Sequence, residues 1–157
     1  MLTQFQDYLT FESIYLWATL GVLPFWLMLI FIPNSRITQI FVNSIFLPLI
    51  LGASAVYVIY MVYLLDESIL DIFQLYLSLE NLYTIFAIEG FLLIFWLHFL
   101  ALSLFLGSWI SRDGLKYNIA RGVAFIPLIL IYFTGPIGLV IYWMIRIFYA
   151  KKLGFHD

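Results

Sequence analysis

Cysteine is absent from the 157 residues, which removes disulfides, thiolate metal sites, iron–sulfur clusters and cysteine nucleophiles together. Charge is nearly as scarce. Asp, Glu, Lys and Arg make up 10% of the chain, against about 25% in ordinary soluble domains. Seven Lys plus Arg against nine Asp plus Glu give a net charge of -2. No basic face exists to neutralise a run of phosphates, so nucleic acid is excluded as a partner. The only histidines are His98 and His156, and neither has the His-Glu or paired-carboxylate spacing of a metal site. A Walker loop, a Rossmann glycine pattern and a serine nucleophile elbow are all missing. The stretch from Met1 to Thr10 contains Asp7 but no Lys or Arg, so it lacks the positive region of a secretory signal. The first apolar stretch is therefore expected to be retained.

What fills the chain instead is apolar. Hydrophobic residues make up 65%, aromatic residues 20%, and the mean hydropathy is +1.07. Lipid is the medium such a sequence requires. A helix crossing the hydrocarbon core needs about 20 mostly apolar residues, and four stretches meet that length. The first runs from Phe11 to Ile32 and stops at Pro33-Asn34-Ser35-Arg36; the second runs from Ile37 to Leu65 and stops at Asp66-Glu67. The third, Gly90 to Ser111, is free of charge and ends at Arg112-Asp113-Gly114. The fourth, Val123 to Phe148, contains Pro127 and the break Thr134-Gly135-Pro136-Ile137-Gly138, where a kink is expected. Polar residues recur too often between Asp66 and Glu89 for a span, and that connection reads as a short amphipathic helix at the interface. The expectation is one all-α domain over residues 1–157: an integral membrane bundle of four transmembrane helices with a short interfacial helix between the second and third.

With four spans, Arg36, Arg112, Lys116 and Arg121 face one side, and Arg146, Lys151 and Lys152 face the other with the acidic connection. That narrow majority points both termini away from the cytoplasm.

The residue that stands out is His98, about 4 Å from the centre of a straight third span. An ionisable side chain that deep marks a functional position or a hydrogen bond between helices. At 100° per residue, Ala101, Leu102, Phe105, Trp109, Arg112 and, at the margin, Asp113 share its face, while Ser103 and Glu89 point away. His98 thus overlooks an aromatic stripe leading to a charged mouth. It lies about 22 Å along the axis from Asp113, so the two are no direct acid–base pair. Partners at its depth must come from other spans, with Asn43, Ser54, Tyr57, Tyr132 and Thr134 as the candidates. Arg112, Asp113 and Arg121 suit either a polar ligand end-group or plain interfacial anchoring, and Gly135-Pro136 either brings backbone close to a ligand or simply bends the bundle.

The run Trp96-x-His98-Phe99-x-Ala101-x-x-Leu104-Phe105-x-Gly107-x-Trp109, then Arg112-Asp113, Arg121 and Phe133-x-Gly135-Pro136-x-Gly138-Leu139, resembles the neoxanthin-synthase-like, or abscisic-acid-deficiency, membrane family. The matching motifs cover residues 90–146. Ser103 departs from the family pattern, which commonly has an acidic residue before the Leu-Phe pair. Plant members of that family are linked to the conversion of violaxanthin to neoxanthin, which opens a 5,6-epoxide and removes a neighbouring proton to give an allene. Such a step needs an acid, a base and no redox cofactor.

The resemblance therefore implies a carotenoid-handling protein of a bacterial inner membrane or a thylakoid or plastid membrane, a xanthophyll isomerase-like enzyme with no cofactor or metal. His98 and Asp113 are the catalytic candidates. Trp96, Phe105, Trp109, Arg112, Arg121, Gly135 and Pro136 are the candidates for holding a carotenoid or similar long apolar ligand. The alternative is a non-catalytic small subunit that binds pigment or lipid within a larger photosynthetic or respiratory complex. A transporter is disfavoured by the scarcity of ionisable groups in the spans.

Overall fold

The computed structural model describes residues 10–42, 44, 46–64 and 76–150, and all regular structure among them is helical. Helix α1 (Phe11–Gly21) starts where the Thr10 hydroxyl accepts the amide of Ser13 at 3.2 Å. Helix α2 (Leu23–Phe31) follows almost without interruption, because Val22 keeps helical angles and Pro24 falls in the first turn, where a missing amide costs nothing. Pro33, Asn34 and Ser35 then turn the chain. Ser35 caps α3 (Arg36–Phe41) by accepting the Thr38 amide at 3.1 Å. The buried Thr38 hydroxyl donates back to the Ile32 carbonyl at 2.8 Å, which closes the turn. Helix α4 (Phe46–Leu64) follows, then α5 (Leu79–Phe86) with Ser78 as its cap, and the 28-residue α6 (Glu89–Lys116). Asn118 adopts a positive φ of 52° and the Ile119 amide bonds the Gly114 carbonyl at 2.9 Å, ending α6. Helices α7 (Arg121–Thr134) and α8 (Pro136–Ala150) complete the chain.

Among the described residues, three segments are long and apolar enough to cross a membrane: Phe11–Phe31, Arg36–Val62 and Glu89–Lys116. They correspond to the first three expected spans. Large apolar side chains lie on the outside, among them Trp17 at 78% and Phe148 at 79% exposure. That is the surface of a protein solvated by acyl chains. Of the expected amphipathic connection, residues 65–75 lie outside the described residues. Helix α5 occupies the rest, with Leu79, Leu82 and Tyr83 exposed and Ile85 buried.

The fourth stretch differs from expectation. Instead of one kinked helix there are two, of 14 and 15 residues, about 21 Å and 22 Å long against a core of about 30 Å. Gly135 takes φ 60° and ψ -97°, outside the helical region, and the chain reverses there. Gly138 then rests on α7 so closely that a Cβ would lie 2.7 Å from the Pro127 carbonyl oxygen and against the Ile131 amide. A kinked helix would carry residues 131 and 138 far apart along its axis; in this hairpin they touch.

The chain divides into two units. The first comprises residues 1–21 and 49–100, with a core of Ile14, Val58, Val62, Leu93 and Leu97. Gly90 admits the Val62 side chain beside it, and Phe11 packs nearby, so α1 and the start of α6 run in the same direction. The Trp96 indole donates to Thr19 Oγ1 at 2.8 Å. The second unit comprises residues 22–48 and 101–157, and its core includes Leu29, Val42, Leu104, Ile110 and Ile131. The Trp26 indole packs against Gly107, where a Cβ would meet it at 2.7 Å, and its ring meets Tyr132 edge-on at 5.5 Å.

Because Gly138 touches backbone rather than a movable side-chain tip, Gly138→Val should cost about 1–3 kcal/mol through overpacking. Thermal unfolding of purified protein in detergent checks this, and Gly122→Ala, with open space around it, serves as the control that should leave the midpoint nearly unchanged.

Candidate functional site

The C-terminal end of α6 and the returning helix α8 build one polar cluster in the second unit. Asp113 Oδ2 accepts two bonds, from Tyr142 Oη at 2.7 Å and from Arg146 Nε at 2.8 Å. Arg146 Nη2 donates to Tyr117 Oη at 3.1 Å, and the guanidinium carbon lies 4.7 Å from the centre of the Tyr117 ring. Trp109 meets the Tyr142 ring edge-on at 5.6 Å. Tyr142 and Arg146 follow each other at i, i+4, so α8 presents both to α6 from one face.

Burial decides what this cluster means. The Arg146 side chain has no solvent exposure, while that of Asp113 retains 10%. A guanidinium removed from water is tolerable only with a counter-charge and donors satisfied, which Asp113 and Tyr117 supply. Tyr142, also fully buried, adds a second donor to the same carboxylate oxygen. The result is a fixed carboxylate whose remaining exposure faces a groove of about 290 Å³ lined by Trp109, Arg112, Asp113 and Lys116. A second groove of about 520 Å³ is lined by Val42, Ser44, Pro48, Ala101, Leu102, Phe105, Ser108 and Arg112. Arg112 borders both. Along one side of α6 the surface thus passes from apolar, at Leu102 and Phe105, to charged, at Arg112, Asp113 and Lys116.

Phe105, Trp109, Arg112 and Asp113, expected on one stripe, are therefore brought together. Arg121 is exposed at the start of α7 and borders a different, small cavity beside Ser111 and Gly114. Gly135 and Pro136 make the hairpin turn. In the first unit, Trp96 lines a groove of about 420 Å³ with Phe11, Glu12, Tyr15, Glu89, Leu92 and Leu93. His98, also in that unit, is exposed and makes no hydrogen bond among the described residues. Of its five candidate partners, Asn43 lies outside the described residues. Ser54 and Thr134 bond the carbonyls of Ile50 and Leu130 in their own helices. The Tyr57 hydroxyl is buried without a partner among the described residues, and Tyr132 packs on Trp26 and Phe133. Among the described residues, no group of three His, Asp or Glu side chains could hold a metal ion.

Tyr117, Tyr142 and Arg146 were not among the candidates. Arg146 carried a usable signal, since it sits in Met144-Ile145-Arg146-Ile147-Phe148 and an arginine amid apolar residues demands a partner. A four-span topology sends it to the opposite end from Asp113, and only the hairpin reveals the pair.

The sequence model of one family, described as ABA DEFICIENT 4-like, matches residues 13–142. No curated protein and no solved structure matches the chain. The matched stretch takes in α6, with Asp113 and Tyr117, and reaches Tyr142; Ser103, the departure from the expected pattern, is buried in α6.

Removing the counter-charge should be costly. Asp113→Asn leaves the Arg146 charge uncompensated and should destabilise by about 3–5 kcal/mol, whereas the double variant Asp113→Asn with Arg146→Met should lose much less than the sum of the two single changes. Unfolding midpoints of the four proteins form the cycle, and simple additivity would contradict the pairing.

Proposed function

The chain belongs to the ABA DEFICIENT 4-like family of membrane proteins, and on that premise we propose that it handles carotenoids, as a cofactor-free xanthophyll isomerase-like enzyme. The observation that carries this reading is a pair of grooves on α6 that share Arg112, one apolar and the other opening on a carboxylate held by two buried donors. A carotenoid is about as long as a bilayer is thick, with its polar rings near the head groups. In this reading the polyene lies along Leu102 and Phe105, and the end ring enters between Trp109, Arg112 and Lys116. Helix α5 rests in the interface on its exposed Leu79, Leu82 and Tyr83, and the α7–α8 hairpin takes the place of a fourth full span.

The chemistry asked of the site is modest. A proton leaves a carbon beside the epoxide, its electron pair forms the new double bond of the allene, and the carbon–oxygen bond breaks. The oxygen then takes up the proton that the base accepted, so the product is an isomer of the substrate. Asp113 is the member of the buried cluster that reaches the groove, so it acts as the base. Arg112 and Lys116 are the cations placed to steady the oxygen as it becomes negative. Tyr142 and Arg146 are too buried to touch a ligand, and their hydrogen bonds hold Asp113 in place. His98 lies in the first unit, where it is exposed.

The second reading keeps the groove and drops the reaction. His98, exposed and unbonded on an apolar face, also fits the contact of a pigment-binding subunit with a larger photosynthetic or respiratory complex. Membranes containing the protein, supplied with a set of epoxy and non-epoxy carotenoids and analysed by chromatography, separate the two. The enzyme reading expects isomerised product that falls about 10²–10⁴-fold in Asp113→Asn, the usual worth of a positioned acid or base. Unchanged pigments, with partner subunits co-purifying, would support the subunit.

A further inference from the structure

The hairpin changes how the charges of this chain are distributed, and with it the direction in which the protein sits in its membrane. No Lys or Arg occurs before Arg36 or between Ile37 and Ser111, and that second stretch holds Asp66, Glu67, Asp71, Glu80 and Glu89. In the second unit, α2 runs alongside α6 in the same direction. Trp26 and Leu29 meet Gly107, and Leu29, Ile30 and Pro33 share a cavity with Ser111 and Gly114. The turn carrying Arg36 therefore lies at the C-terminal end of α6. Arg112 and Lys116 are on that end, and Arg121 begins α7 just after it. Since α8 returns to bond Asp113 and Tyr117, Arg146 is there as well. All five described cations thus gather at one end of α6. At its other end Glu12 and Glu89 line one groove.

A single helix crossing would have left Arg146 on the far side and the count nearly balanced. The observed arrangement puts every described Lys and Arg beside the same membrane surface, with Arg36, Arg112, Lys116 and Arg121 exposed. Cationic connections stay on the side where the chain is made, and exposed Lys and Arg there are attracted to anionic head groups. We propose that the C-terminal end of α6 faces the compartment of synthesis, seated on the anionic lipids of that leaflet, and that the acidic end of α6 is translocated. The groove bordered by Trp109, Arg112, Asp113 and Lys116 then opens toward that leaflet. This placement stands whether or not the groove is catalytic.

The absence of cysteine makes the test direct, since any thiol label reports an introduced site. Asn34→Cys, in the turn near the cationic end, and Tyr76→Cys, in the acidic connection, are both exposed positions. Each is expressed separately in a bacterial inner membrane and treated with a membrane-impermeant maleimide, in spheroplasts and in sealed inverted vesicles. Asn34→Cys should be labelled only in inverted vesicles and Tyr76→Cys only in spheroplasts. The reverse pattern, or labelling of either site from both sides, would overturn the orientation. Replacing Arg36, Arg112, Lys116 and Arg121 together with Gln should turn the one-sided labelling of Asn34→Cys into labelling from both sides, and the pattern persisting unchanged would show that these cations do not set it. For the lipid contact, detergent-purified protein offered phosphatidylglycerol and phosphatidylcholine in equal amounts should retain the anionic lipid preferentially; equal retention of the two would remove the leaflet contact.

Discussion

A guanidinium with no access to solvent has to be answered by an opposite charge, and in this protein that answer comes from Asp113. The pair closes α8 against the end of α6, because Arg146 reaches its carboxylate only if the chain has already turned back at Gly135. Tyr117 and Tyr142 satisfy or reinforce the same two groups. In a low-dielectric setting such a network either is complete or is strongly destabilising. The small residues follow from this constraint. Gly135 leaves the helical region so that the chain can reverse, and Gly138 lets the hairpin's second arm lie on the backbone of the first.

Holding one carboxylate in place next to Arg112, which also borders the apolar groove, is what connects the fold to the proposed chemistry. The buried partners spend their hydrogen bonds on Asp113, and in the proposed reading contact with a ligand falls to groups nearer the surface, namely Trp109, Arg112, Lys116 and the exposed edge of Asp113 itself. Pre-organisation of this kind lets a small helical protein present a charged group to an apolar ligand without flooding the site with water.

Much of the architecture was legible in the sequence. The three crossing segments could be read from runs of apolar residues ended by Pro33-Asn34-Ser35-Arg36, Asp66-Glu67 and Arg112-Asp113, because length and polarity alone determine whether a helix can span lipid. The stripe through Phe105, Trp109, Arg112 and Asp113 was legible too, since it needs only the period of one helix. The hairpin was not. Hydropathy is the same for one kinked helix of 26 residues or so and for two short ones side by side, and a Gly-Pro pair permits either a bend or a reversal. Missing the reversal hid Arg146 from Asp113, and it also set Arg146 on the far side from the other described cations. His98 shows the limit of helical phase: a polar residue deep in an apolar run draws notice, yet its phase alone does not say whether its face meets neighbouring helices or the surroundings, and here it is exposed.

The most direct measurement is a cryo-EM or crystal structure of the protein carrying a bound xanthophyll. The account predicts the polyene along Leu102 and Phe105 and an end-ring oxygen within hydrogen-bonding distance of Arg112, Asp113 or Lys116. A pigment seated elsewhere, with Trp109 and Asp113 touching no part of it, would contradict it.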